Sequence, residues 1–264
     1  LIEELSEAEH DQYDPALLPD ELTIYFRSEP RVSGSGRSAI VRATRTARWA
    51  RWGVPQIVSE IDAPEAWNLS PEPSSNELRL WFSSDRAGTR GGLDLWVAVR
   101  DEVELPWSAP QNLAELNSAE WDTDCAVSSD ELELIFSRRS SGQADLFISR
   151  RSSVVELWSP PEAIPELVTG ADEWDAALAL DGLLMLFTSP PTQPSEIAGE
   201  LHIYESRRSS KNDPFSAPVL LEELAAPFAI DEDPWISNDG RRVVFASTRS
   251  GRRHLYQSER EILQ

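Results

Sequence analysis

Lysine is almost absent from this 264-residue chain: Lys211 stands alone, so nearly every cation is an arginine. That bias reads as the mark of a GC-rich bacterial genome. Cysteine occurs once, at Cys125, which excludes an intramolecular disulfide framework and a thiolate metal cluster. With no histidine nearby in its unit, Cys125 reads as a buried structural thiol and not a nucleophile. No apolar run approaches the roughly 20 residues needed to cross a bilayer as a helix. Positive charge is scarce, and the net charge of −22 argues against a phosphate-backbone ligand, so nucleic acid is excluded as a partner class. There is no Gly-x-x-x-x-Gly-Lys loop. No serine has a phased histidine and acid partner, and Gly34-Ser35-Gly36 lacks the strand-to-helix setting of a nucleophile elbow. No cofactor or metal is expected.

What the chain has is one phrase written five times. A first slot holds Asp14, Ser70, Asp124, Asp175 and Asp233; six residues on, a turn slot holds Asp20, Asn76, Asp130, Asp181 and Asp239. The copies are spaced 56, 54, 51 and 58 residues apart, a period that marks a repeat architecture and suits four short strands with their loops. After each turn slot comes an apolar strand ending in Phe26, Phe82, Phe136, Phe187 or Phe245. A third strand follows, rich in aromatic and β-branched residues, as in Leu95-Trp96-Val97 and Leu146-Phe147-Ile148. Next come Trp52 with Pro55, Trp107 with Pro110, Trp158 with Pro161 and Phe215 with Pro218. Proline there confines the following strand to an outer edge.

The fifth copy ends soon after Tyr256 without its aromatic, proline or outer strand. The missing piece is at the other end: Leu1-Ile2-Glu3-Glu4-Leu5 repeats Leu220-Leu221-Glu222-Glu223-Leu224, each nine residues before its first-slot aspartate. The expected fold is therefore all-β: a five-bladed β-propeller of four-stranded antiparallel blades, closed by the N-terminal strand pairing into the last blade. Closure protects sheet edges. The chain reads as a single domain over 1–264, with blades at about 8–62, 63–118, 119–170, 171–226, and 227–264 plus 1–7. The polar stretches 29–37 and 190–199 read as loops between second and third strands.

These copies resemble the WD40-like propeller repeats of the TolB type. The matching residues are Asp14-Pro15 and Asp233-Pro234, the turn Ser237-Asn238-Asp239-Gly240, Phe245-Ala246-Ser247, and Asp94-Leu95-Trp96 or Asp145-Leu146-Phe147. The resemblance implies a propeller that works as a non-enzymatic binding or scaffold module for a protein or peptide, in the periplasm or at the cell surface. The start at Leu1 reads as a trimmed product whose targeting segment is absent. A monomer is expected.

Two alternatives remain: a carbohydrate-binding propeller and, behind it, a five-bladed glycoside hydrolase. Hydrolysis needs two carboxylates in unequal protonation states. The first-slot acids Asp14, Asp124, Asp175 and Asp233, with Asp122, Glu173 and Asp231 two residues before three of them, could ring a channel. Because one residue type recurs by symmetry, they read first as strand-entry groups that accept backbone N–H bonds. Trp67, Trp121, Trp174 and Trp235 lie close to the first slot in four units. They read as packing residues or, alternatively, as a face of Trp beside Asp suited to a sugar ring or a peptide. Candidate ligand-binding residues are thus Asp14, Trp67, Trp121, Asp124, Trp174, Asp175, Asp233 and Trp235. The arginines between Arg27 and Arg51, with Arg241, Arg242, Arg249, Arg252 and Arg253, predict a basic sector at the closure seam. They read as solvated strand faces or, more sharply, as a surface for an acidic partner.

Overall fold

The computed structural model describes residues 1–6, 10–29, 37–191 and 200–260. The first blade is β1 (Asp11–Leu17), β2 (Thr23–Glu29), β3 (Ala39–Thr44) and β4 (Gln56–Ile57); the second is β5 (Asn68–Pro73), β6 (Arg79–Ser84), β7 (Asp94–Val99) and β8 (Gln111–Asn112). The third is β9 (Trp121–Val127), β10 (Glu133–Ser140), β11 (Gln143–Arg150) and β12 (Glu162–Ala163). The fourth is β13 (Trp174–Ala179), β14 (Leu184–Ser189), β15 (His202–Arg207) and β16 (Val219–Leu220); the last holds β17 (Asp231–Ile236), β18 (Arg242–Ser247) and β19 (His254–Glu259). Every sheet is an antiparallel meander in chain order, the five-bladed propeller expected from the repeat. Each outer strand is two residues long and begins directly after its proline, as the missing N–H of that residue requires. The polar stretches 29–37 and 190–199 fall largely outside the described residues.

Closure follows the pattern of the other blades with one difference. In blades one to four the residue after the outer strand donates to the third: Val58 to Ile40, Leu113 to Leu95, Ile164 to Leu146, and Leu221 to Ile203. Ile2 N–H makes the same bond to Leu255 O, at 2.8 Å, so the Leu1–Leu5 segment sits where its sequence twin Leu220–Leu224 sits. It runs as a 3-10 turn (Glu3–Leu5) and makes no strand ladder, leaving the last sheet with three strands. Gln12 N–H to Arg253 O, 2.9 Å, ties the last blade to the first.

The core is five apolar seams between neighbouring blades. The closing seam joins Ile2, Leu5, Leu17, Phe26 and Trp52 to Val244 and Leu255. Trp107, Trp158 and Phe215 fill three of the others, so the aromatic–proline slot is a blade-to-blade wedge. Each fully buried large side chain contributes roughly 1.5–3 kcal/mol. On the outer side of that wedge an arginine lies flat on the ring: Arg45 on Trp52 at 4.2 Å, Arg100 on Trp107 at 4.1 Å, Arg151 on Trp158 at 4.1 Å, and Arg208 on Phe215 at 4.4 Å.

These arginines belong to a repeated clasp. Glu21, Glu77 and Glu131 each follow a turn-slot residue, are buried, and have a left-handed backbone. Each carboxylate holds the stacked arginine of its own blade and one from the blade before. Glu77 accepts from Arg42 Nε at 2.9 Å, lies 3.1 Å from Arg100 Nη2, and accepts from the buried Tyr25 hydroxyl at 2.6 Å. Glu131 holds Arg79 at 2.8 Å, and Glu21 pairs with Arg242, Arg45 and Arg48. The basic sector expected at the seam is therefore largely neutralised within the chain: Arg37 pairs with Asp85, Arg51 with Glu4, Arg249 with Asp231, and Arg253 with Glu232. Arg31 lies outside the described residues. Cys125 is buried, and burial pushes its thiol pKa up, as suits an inert structural group.

Candidate functional site

The five first-slot residues come together on the axis. Asp14, Ser70, Asp124, Asp175 and Asp233 line one cavity of about 70 Å³, with Glu72 beside them. They do not enter the strands, as their sequence position suggested. They stand within the inner strands, each at a register shift where the strand bulges. Their φ angles are 51°, 50°, 53°, 55° and 53°. This left-handed conformation is costly for most side chains and best tolerated by short polar ones, which accounts for the recurrence of aspartate. The bulge turns each carboxylate towards its neighbours: Asp233 Oδ2 accepts from Asp14 N–H at 3.2 Å, Asp14 Oδ2 from Ser70 N–H at 2.9 Å, and Asp124 Oδ1 from Ser70 Oγ at 2.5 Å. Among the described residues no group of three or more histidine, cysteine or acidic side chains is arranged to hold a metal ion.

The ring is not symmetric, and the register shows where it breaks. The second-strand residue paired with the position just before the first slot is Ser83, Ser137, Thr188 and Ala246 in four blades, and Arg27 in the first. The Arg27 guanidinium lies 3.9 Å from Asp14 Oδ2, donates from Nε to Glu29 at 2.6 Å, and stacks on Tyr13 at 4.3 Å and Trp67 at 5.4 Å. The other acids lack such a partner. Burial, then the nearby Asp14 charge, raises Asp124 to about 6. Asp175 and Asp233 are held well above the ordinary carboxylate range by burial and by the acids around them. Two residues along the inner strand, four blades place Ala16, Ala126, Ala177 and Trp235 while the second places Glu72, whose burial raises it to about 8.

The four tryptophans do not share one face. Trp67 and Trp121, each three residues before the first slot, line a cleft of about 600 Å³ at the end of the ring where the inner strands begin. Arg27, Arg37, Asp85 and the Thr89–Leu93 loop complete it. Trp235, two residues past the slot, narrows the opposite end of the axis, where a further cavity of about 130 Å³ continues. Trp174 pairs with Thr188 in the sheet and lines neither the ring nor the cleft. In the cleft, Asp85 accepts from Trp67 N–H at 2.8 Å and from Arg37 at 2.9 Å, so both its oxygens are engaged. Trp121 is 46% exposed and rests on Gly92. A Cβ on Gly92 would lie 1.9 Å from Trp121 Nε1. Gly92→Ala is therefore expected to displace Trp121 while the blade stays folded, seen as a changed tryptophan emission spectrum at an unchanged melting temperature. Asp122, Glu173 and Asp231 are fully buried and bind their own preceding loops through Ser118, Thr169 and Ala226, a structural role.

No family model and no curated protein matches the chain. Solved structures do match. TolB from Acinetobacter baumannii is 15% identical, with 95% of this chain and 52% of that one covered at a TM-score of 0.62. An endo-arabinase from Bacteroides thetaiotaomicron is 15% identical over 96% and 95% of the two chains, TM-score 0.64, and a thermostable family-43 glycoside hydrolase 10% identical over 97% and 91%, TM-score 0.64. The likeness is one of fold. This chain spans about half of that TolB but most of either hydrolase. The propeller expected from the repeat stands, yet the neighbours do not single out the TolB type. The expectation of a non-enzymatic module is overturned: this is a fold on which glycoside hydrolases are built. The physical ground for that expectation fails as well, because Ser70 and Arg27 break the symmetry and give the axial acids unequal environments.

The ring should register in stability. Carboxyls raised in the folded state bind protons more tightly there than in the unfolded chain, so their contribution is complete below about pH 4 and is lost as pH rises through their folded values. The window for Asp124 and Glu72 runs to about 6 and about 8. The melting temperature should fall from pH 5 to pH 9. Glu72→Gln should recover on the order of 2–4 kcal/mol at pH 9, and little at pH 5, in thermal melts. An unchanged pH profile would show that water in the cavity already solvates the carboxylate.

Proposed function

We propose that the chain binds a glycan in the Trp67–Trp121 cleft. The observation that carries this reading is the cleft itself. Two tryptophans, one of them 46% exposed, flank about 600 Å³ together with arginine, aspartate and loop backbone. That volume falls within the roughly 300–1,000 Å³ of small-molecule sites, and flat apolar rings beside fixed polar groups suit the faces and hydroxyls of a sugar. The axial cavity, at about 70 Å³, has room for a few waters and not for a sugar ring. An extracytoplasmic compartment, where such a glycan would be met, fits this reading. A glycan array with the intact protein tests it. Saturable binding supports the reading, and an empty array alongside a peptide that binds over Trp67 and Trp121 would replace it with the peptide reading.

The unequal axial acids favour a second reading, in which a glycan held at the cleft is hydrolysed when the axial cavity of about 70 Å³ widens to admit its scissile bond. Glycoside hydrolysis needs two carboxyls of unequal character, one to protonate the leaving group and one to attack or to activate water. Asp124, at about 6, has a value suited to a general acid, and Asp14 is a second carboxyl of the same ring. Array ligands incubated with the protein should then release new reducing ends. Asp124→Asn should lower that rate by a factor of about 100 or more while binding persists. Bound glycan recovered intact after prolonged incubation would leave binding alone.

A further inference from the structure

We propose that Arg27 is the specificity-determining residue of the face cleft and that the glycan it selects is anionic, carrying carboxylates on its sugar rings. The inference rests on glycan binding at this cleft and names the class of glycan.

Position 27 is where the repeat departs from its own rule. In the other four blades the equivalent position holds Ser83, Ser137, Thr188 and Ala246, none larger than threonine. Packing therefore does not demand a long side chain there. The guanidinium is fixed in place: Tyr13 lies at 4.3 Å on one side, Trp67 at 5.4 Å, and Glu29 takes the Nε edge. Its Nη1 makes an ion pair of 3.9 Å with Asp14 Oδ2, longer than a hydrogen bond, so this N–H can still donate to an incoming oxyanion. Arg37 adds a second guanidinium 5.7 Å from the same Trp67 ring. Among the described residues the acid lining the cleft is Asp85, engaged at both oxygens by Trp67 N–H and Arg37. A ligand carboxylate entering over Trp67 would thus meet two guanidiniums whose neighbouring acids, Glu29, Asp14 and Asp85, are already paired with them. Below it, Asp124, Asp175 and Asp233 all have raised pKa values, which limits the repulsion from the ring. Planar guanidinium matches planar carboxylate with two parallel bonds, a geometry that lysine lacks.

The test compares oligogalacturonate and an oligomannuronate with their carboxyl-reduced counterparts, titrated into the intact protein at low and at physiological salt, beside a neutral glycan array. The native protein should prefer the acid forms by about tenfold or more at low salt, with the preference shrinking as salt rises. Arg27→Gln should bring the acid-to-reduced ratio close to one, and Arg27→Lys should give an intermediate ratio. Thermal melts report whether each variant folds. If Arg27→Gln does not fold, the lysine variant and the salt titration of the native protein decide. Equal binding of acid and reduced forms, or binding of neutral glycans only, overturns the inference and leaves glycan binding standing. An undiminished preference in both variants overturns the role of Arg27. Binding to no glycan of either kind removes the cleft reading itself, and the inference falls with it.

Discussion

Glu77→Ala is expected to cost about 3–5 kcal/mol, the usual penalty for removing one member of a buried ion cluster. The Glu77 carboxylate is buried and is shared by Arg42, Arg100 and the Tyr25 hydroxyl; Tyr25 is fully buried and the Arg100 side chain is 8% exposed. Its loss leaves a buried guanidinium without its counter-charge and a buried hydroxyl without its acceptor, and it releases Arg42, which reaches across from the first blade. For a chain of this size the melting temperature should drop by about 10 °C. Glu102→Ala, on an exposed loop of the same blade, is the control and should stay within about 0.5 kcal/mol. A drop below 1 kcal/mol in Glu77→Ala would show that the seams are held by their apolar wedges alone. Tyr25→Phe should separate the parts, losing only the 2.6 Å hydrogen bond, about 1–2 kcal/mol.

The second large effect concerns the ligand. Trp67→Ala and Trp121→Ala should each weaken glycan binding by about 30-fold, near 2 kcal/mol, as the removal of an aromatic anchor does. The double variant should fall below detection for a micromolar ligand. Neither change should alter the melting temperature much, because Trp121 is 46% exposed and neither ring belongs to a seam core. Trp235→Ala is the contrast. It opens the far end of the axis and loosens packing against the closing seam, so it should lower stability and leave binding at the cleft intact. Equal binding losses in all three variants would place the ligand on the axis and not in the cleft.

Much of the fold was legible because the repeat wrote it. The five phrases marked the blades, the prolines marked the outer strands, and the twin segments Leu1–Leu5 and Leu220–Leu224 marked the closure. The turn slot was also readable: Asp20, Asn76, Asp130 and Asp239 each accept the backbone N–H two residues on. The left-handed bulge was not, since a recurring aspartate fits a turn, a strand entry or a catalytic ring equally well. The tryptophans misled for a geometric reason. Distance along the chain from the first slot ignores direction along the strand, so Trp67 and Trp121, three residues before it, reach one end of the axis while Trp235, two residues after, reaches the other. Arg27 was visible in Phe26-Arg27-Ser28, set against Phe82-Ser83-Ser84 and Phe245-Ala246-Ser247. In the sequence it reads only as part of a basic run, because only the fold brings this position beside Asp14 of the axial ring. The clasp of Glu21, Glu77 and Glu131 was hidden for the same reason, its partners being about 20 to more than 200 residues apart in the chain.

Where a bound sugar sits decides the matter. A structure of the protein with a glycan that binds it should show a sugar ring against Trp67 and Trp121, within hydrogen-bond reach of Arg27 or Arg37. A sugar held anywhere else on the disc, with this cleft left open, would contradict the assignment.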